Sequence, residues 1–225
     1  MTIRNIVVIC LGLLMSAFVS GQSHFEPNYA LKRPPSLEII NIDLQKDATV
    51  LKLSIENMVD GGYFCIDKET YITCDAGIRF KLSKLTGLPH CPGQYNFKRV
   101  GEIAYITLSF PPVPATTQWI DLIEECGEGC LAIYGICLDR HINSEINIGF
   151  RDMEKGRNTD AITKFESLRT ELEDISNPIL GSIYLNLITL YNNSGNTKKA
   201  TELSIELRNL IIPHKELFLR GLKKQ

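Results

Sequence analysis

The sequence predicts a multidomain chain, all-β in front and all-α behind. Two changes along the chain predict it. Apolar residues recur at every second position in runs between Leu37 and Phe110, and at every third or fourth position between Ala161 and Leu210. Of the seven cysteines, Cys10 stands near the start, six lie between Cys65 and Cys137, and none lies beyond.

The first twenty-one residues stand apart. Arg4 precedes an apolar run from Ile6 to Val19, and Ser16, Ala17, Ser20 and Gly21 supply small residues at its exit. This order predicts a secretory signal over residues 1–21. The run is short of the ~20 residues that a membrane span needs, so an uncleaved anchor is the competing reading. Cys10 lacks the small residues before it that lipidation requires. The mature chain is therefore expected in an oxidising place: a periplasm, a cell surface or the medium. No second run is apolar and long enough to span, so no membrane span is expected once the signal is removed. The net charge is −2 over 225 residues, and without a basic footprint nucleic acid is not an expected partner.

Phe25 to Ser36 holds three prolines and no periodicity, and reads as an extended lead-in. Ile40, Ile42 and Leu44 then alternate with polar neighbours, as do Leu51, Leu53 and Ile55. Each run places one apolar row on a core. Gly61-Gly62 breaks the pattern. Tyr63–Ile66, Thr70–Cys74 and Ile78–Leu82 are short β-rich runs, with Asp75-Ala76-Gly77 as a turn. Leu88 to Gly93 reads as loop. Ala104, Ile106, Leu108 and Phe110 make another row, stopped by Pro111, Pro112 and Pro114, which cannot donate ladder hydrogen bonds. Trp119–Ile123 and Leu131–Leu138 are apolar on both faces, as central strands are. Roughly seven to nine short strands at this spacing predict an immunoglobulin-like β-sandwich over residues 25–140, with an open barrel as the alternative.

The ordered motifs K-E-T-Y-I, D-A-G-I-R-F-K-L, I-T-L-S-F-P-P-V-P-A-T-T-Q-W-I-D-L-I-E and I-Y-G-I-C-L resemble a β-sandwich domain of secreted Gram-negative proteins. That domain often precedes another module, sometimes a thioredoxin-like one, and has no assigned activity. The resemblance covers about 100 residues and implies fold and address only. This chain departs from it by its many cysteines and by having no thioredoxin-like module behind the β part.

From residue 142 to 225 the period is helical. Ala161, Phe165, Leu168, Leu172 and Ile175 form one stripe; Leu180, Ile183, Leu187 and Tyr191 a second; Ala200, Leu203, Leu207 and Leu210 a third. Asn158 or Thr159, Asn177-Pro178, and Asn196 or Thr197 are start signals, and Pro213 is a stop. Gly156-x-x-x-Asp160-Ala161 recurs as Gly195-x-x-x-Lys199-Ala200. With Gly149 and Phe165 in the first copy, and Leu187 and Tyr191 in the second, this resembles the tetratricopeptide repeat, whose period is about 34 residues. A plain pair of helical hairpins is the competing reading. Two copies are few for that family, so a covering surface is expected from the β part, from His214–Leu222 or from a partner.

In the repeat family the first helix of each pair lines a concave groove. The resemblance implies a lining of Asn143, Ile146, Asn147, Phe150 and Met153, then Ser182, Leu185, Asn186, Thr189 and Asn193. Asn147 and Asn186 suit a carboxylate clamp, but Ile146 stands where a lysine would help, so no clamp is expected.

Six cysteines, Cys65, Cys74, Cys91, Cys126, Cys130 and Cys137, read first as disulfides in an exported chain. Proximity along the chain favours Cys126–Cys130 and Cys65–Cys74, which leaves Cys91 with Cys137. A redox pair at Cys126 and Cys130, or a metal site drafting His90 and Cys91 with Cys126 and Cys130, is the functional alternative. His24, His90, His141 and His214 sit in no catalytic frame, and there is no nucleophile elbow or phosphate loop. Glu124, Glu125 and Glu128 read as a solvated hairpin end or a cation site. No cofactor and no catalytic residue are expected. The sequence points to a non-enzymatic, exported interaction protein that docks an unidentified protein partner, with a thiol redox protein and a carbohydrate-binding sandwich using Trp119 and surface tyrosines as alternatives.

Overall fold

The computed structural model describes residues 21–125 and 130–222. All but the last residue of the expected signal segment lies outside them. Among the described residues, twelve strands precede five helices. The strands are Gln22–Phe25 (β1), Leu31–Arg33 (β2), Leu37–Leu44 (β3), Thr49–Glu56 (β4), Tyr63–Phe64 (β5), Tyr71–Cys74 (β6), Arg79–Lys81 (β7), Lys84–Thr86 (β8), Tyr95–Asn96 (β9), Ile103–Phe110 (β10), Trp119–Ile123 (β11) and Ala132–Cys137 (β12). The helices are Arg140–Glu154 (α1), Asn158–Glu171 (α2), Ile179–Asn193 (α3), Thr197–Asn209 (α4) and Lys215–Leu222 (α5).

The strands form three antiparallel sheets. The first runs β1-β3-β4-β10-β8, the second β2-β12-β11-β6-β7, and the third is the pair β5-β9. One apolar core lies between the two larger sheets. Leu51, Leu53 and Leu108 reach it from the first, and Ile72, Ile120 and Ile133 from the second. Side chains of a strand alternate faces, so the same strands send their other row outward. For the second sheet that outer row is also buried: Cys137, with Ala30 of the lead-in, joins a second core built by the helices. This double cover is why β11 and β12 are apolar on both faces.

Two irregularities re-aim side chains. Ile39 faces Leu53 and Asn41 faces Lys52, so Ile40 is the extra residue of a bulge on β3. The inward row is Leu37, Ile39 and Ile42, and Ile40, expected in that row, is exposed. On β12, Ile136 faces Ile120 and Ile133 faces Leu122, so Tyr134 and Gly135 together oppose Asp121. Gly135 has φ +60°, the left-handed geometry such a bulge requires. Both Ile133 and Ile136 thereby reach the same core although three apart.

The segment expected as an irregular lead-in, Phe25 to Ser36, contains β2 and begins at the last residue of β1. β1 adds to the edge of β3, and β2 to the edge of β12. The lead-in thus crosses from one large sheet to the other. The sequence hides β1 because Ser23 and His24 are polar, yet His24 is buried.

The helices form two hairpins and a cover. Arg140 and Ile179, where α1 and α3 start, are 39 positions apart, as are Asn158 and Thr197, where α2 and α4 start. Asp139 caps α1, its carboxylate accepting from the N–H groups of His141 at 2.8 Å and Ile142 at 3.0 Å. Asn177 accepts from Ile179 N–H, and Asn196 from Lys199 N–H. Arg157 precedes α2 without a side-chain cap. Gly149 lets the Phe165 ring approach so closely that a Cβ there would lie 2.7 Å from it. Gly181 does the same for Phe218 of α5, which closes the end of the second hairpin. Ile175 leaves the expected stripe and is exposed beyond α2.

The cysteine pairing differs from the expectation. Cys65 is bonded to Cys91, and Cys74 and Cys137 are free and buried. The segments around Cys65 and Cys91 are laced together by backbone bonds, Ile66 N–H to Pro89 O and Cys91 N–H to Ile66 O. Nearness along the chain misled because β5 and β6 belong to different sheets. Cys74 faces the core between the sheets, whereas Cys137 faces the helices. Cys130 is buried and disulfide-bonded; Cys126, its expected partner, lies outside the described residues.

Candidate functional site

The second sheet meets the helices along β12. Two constellations form there, one polar and buried, one a groove.

The buried one centres on Asp121, 3% exposed. An unpaired carboxylate at such a place costs several kcal/mol, so its partners matter. One oxygen accepts from Gly135 N–H at 2.7 Å, and the other lies 2.7 Å from His214 Nε2. His214 has φ +60° just before α5, and its ring tilts over Tyr134 at 4.6 Å. Pro178 packs against Gly135 from the start of α3. The Asp121–His214 contact therefore ties the bulge of the second sheet to the last helix. The couple holds the bulge of the second sheet and the approach to α5 together. Sequence reasoning gave Asp121 no role. Its signal was an acidic residue inside Trp119–Ile123, where both faces are apolar and a charge must be buried and paired.

The groove lies between the lead-in, α1 and α3. On one side the lead-in is bound to β12, Cys137 N–H donating to Asn28 O and Ala30 N–H to Tyr134 O. On the other side it is held by α1. Asn143 Oδ1 accepts from the Asn28 backbone N–H at 2.7 Å and from its amide at 3.0 Å, and Asn147 Oδ1 accepts from the same amide at 3.0 Å. The Asn143 amide donates to the carbonyls of Cys137 and Asp139. Residues four apart share one helix face, which is why two asparagines grip one side chain.

The ten residues expected to line a partner groove are placed unequally. Ile146, Phe150, Ser182 and Asn186 surround a cavity of about 250 Å³ together with Asn28, Tyr29, Ala30 and Ile179. Asn143 and Asn147 are engaged by the chain's own Asn28. Met153 and Leu185 pack against the helical core. The Thr189 hydroxyl donates to Leu185 O, and Asn193, the last residue of α3, is exposed. Ser182 and Asn186 turn donors back on their own helix, to Ile179 O and Ser182 O. Among the described residues none donates to the Asn186 carbonyl oxygen.

The other groups singled out by sequence take structural roles. Glu124 is buried, and its carboxylate accepts from Asp67 N–H at 2.6 Å and Leu131 N–H at 2.9 Å. Burial raises its pKa above the ordinary carboxylate value, against the pull of those two N–H groups. Glu125 pairs with Arg79 at 2.8 Å, and Glu128 lies outside the described residues. His90 Nδ1 lies 3.2 Å from Ile66 O, and Cys91, in its disulfide, offers no thiolate to a metal. Among the described residues no three of His, Cys, Asp and Glu gather as metal ligands. Trp119 is 7% exposed, so it offers no platform to a sugar. Among the described residues no helix is long and apolar enough to cross a membrane.

Comparison of the chain with protein-family models, with curated proteins and with solved structures returned no match.

Proposed function

We propose that this is an exported, non-enzymatic interaction protein whose α1–α3 face holds an extended segment of a partner beside its own lead-in. One observation carries the reading: that face already holds the extended lead-in at Asn28, through side-chain bonds from Asn143 and Asn147 to its backbone N–H and amide. The cavity lined by Ile146, Phe150, Ser182 and Asn186 adjoins it, apolar on one wall and with the Asn186 carbonyl unbonded among the described residues. Such a cavity suits one anchoring side chain of a bound peptide.

The 39-residue recurrence of the hairpins, with Gly149 under Phe165, supports a tetratricopeptide-like character for the helices. The two stacked sheets support an immunoglobulin-like character for the strands. The disulfide Cys65–Cys91 and the bonded Cys130 support export, since such bonds persist in oxidising compartments.

Selection of randomised displayed peptides on the folded full chain tests the reading. A peptide family should be enriched, and Ser182→Phe, which fills the cavity, should abolish its binding while leaving the thermal midpoint unchanged. No enriched family, or one that binds Ser182→Phe as well as the parent, defeats it.

A further inference from the structure

The helices cover one side of the stacked sheets, and the first sheet turns its outer face to solvent on the other. Along β10, Ala104, Ile106 and Leu108 point into the core, so Ile103 and Tyr105 point out, and Tyr105 is 66% exposed. Glu38, Ser54 and Glu56 project from β3 and β4 beside them, Glu56 opposite Ile103 and Ser54 opposite Tyr105. Beyond the end of β4, Met58 is 64% exposed, and Val59 and Tyr63 are exposed next to it. Exposed large apolar side chains gathered in this way mark interaction surfaces, whereas scattered ones do not.

Ile103 and Met58 among them wall a cleft of about 610 Å³ under the Pro34–Ser36 turn, together with Pro34 and Pro35, with Glu38 and Glu56 on its lining. That volume is in the range of ligand-binding clefts, roughly 300–1,000 Å³. No lysine or arginine lines it. Lys32 pairs with Glu38, whereas Glu56 pairs with no cation among the described residues.

We propose that this cleft binds a basic peptide segment of a partner protein, one carrying lysine or arginine next to a large aliphatic residue. The apolar walls take the aliphatic side chain, and Glu56, with Glu38 behind it, takes the cation. Glu56, left uncompensated while Lys32 balances Glu38, disfavours an anionic lipid surface or a nucleic acid. A second copy of this chain, net charge −2, paired about a two-fold axis here would set like carboxylates against each other. The cleft lies on the sheet that the helices leave open, so the proposal is independent of the helical groove.

Fluorescence anisotropy on the full chain tests it, with labelled short peptides alternating lysine and leucine, glutamate and leucine, or lysine and serine. The lysine–leucine peptide alone should bind, and its affinity should fall with added salt. Glu56→Lys and Met58→Ser should each weaken it about tenfold, Glu56→Gln less, with thermal midpoints unchanged. Ser182→Phe, in the helical groove, should leave it unaltered. Equal binding of the glutamate–leucine peptide, parental affinity in Glu56→Lys and Met58→Ser, loss of binding in Ser182→Phe, or no binding at all would overturn the proposal. So would a dimer in sedimentation that Met58→Ser dissociates, since the occupant would then be a second copy.

Discussion

Asp121 and His214 are 93 positions apart in the chain, yet the Asp121 carboxylate lies 2.7 Å from His214 Nε2 at the seam between sheet and helices. The same carboxylate accepts from Gly135 N–H, so one buried group holds both the bulge of β12 and the approach to α5. Removing it strands two polar partners at once. Asp121→Ala should cost about 2–4 kcal/mol in chemical denaturation. Asp121→Asn, which keeps an acceptor for Gly135, should cost less. His214→Ala should cost less in the Asp121→Ala background than in the parent, the difference measuring their shared contact and the remainder the His214 ring over Tyr134.

The thiols offer a chemical check on the chain path. Burial pushes the Cys137 thiol up to about 12, so it stays protonated at ordinary pH. Cys74 is buried in the other core. Alkylation of native protein near neutral pH, read by peptide mass mapping, should leave both unlabelled. Denaturant without reductant should label both, while Cys65 and Cys91 should need reductant as well. Labelling of Cys65 before reduction would contradict its bond to Cys91.

Gly181 and Phe218 provide a packing test of the C-terminal helix. A Cβ at position 181 would lie 2.5 Å from the Phe218 ring, which is wholly buried. Gly181→Ala should therefore destabilise by about 1–3 kcal/mol, although alanine is by itself the better helix former by up to ~1 kcal/mol. Phe218→Leu should recover part of that loss in the double variant, which a denaturation cycle would measure.

His24 makes stability depend on pH. It is buried on β1, and its Nε2 has no hydrogen-bond partner among the described residues. Burial first, and then the Arg140 charge, hold its pKa below the ordinary 6.5, with Asp139 opposing. The unfolded chain binds the proton at about 6.5, whereas the folded chain does so only at lower pH. Stability is thus lost as pH falls below 6.5 and until the folded value is reached. His24→Gln should flatten that slope in thermal melts recorded between about pH 7 and pH 5.

The order of elements was largely legible. β3, β4, β6, β10, β11 and β12 sit on the runs where alternation or continuous apolarity is plain. Of the start signals, Asn177 and Asn196 cap helices, and Pro213 follows the end of α4, whereas Asn158, expected as a cap, is the first residue of α2 and Arg157 precedes it without a side-chain cap. What escaped were short edge strands. β1, β2, β8 and β9 hold two to four residues each, too few for a period to register, and they are fixed by the strand they join. The bulges at Ile40 and Gly135 shift alternation by one residue, so a strict period of two put Ile40 on the wrong face.

The groove was half legible. Ile146, Phe150, Ser182 and Asn186 share one cavity, but Asn143 and Asn147 serve the lead-in. Helical spacing can place residues on one face of a helix, but it carries no information on what distant segment lies against that face.

By itself the sequence determined the change from strand to helix near residue 140 and the stripes that pair into hairpins. These rest on local periodicity and local backbone chemistry. Only the tertiary structure decided that Cys65 bonds Cys91, that Asp121 meets His214, that the lead-in fills part of the α1 groove and that the first sheet keeps an open acidic cleft. Each of these joins residues far apart along the chain, and such contacts are set by which faces of whole sheets and helices bury each other.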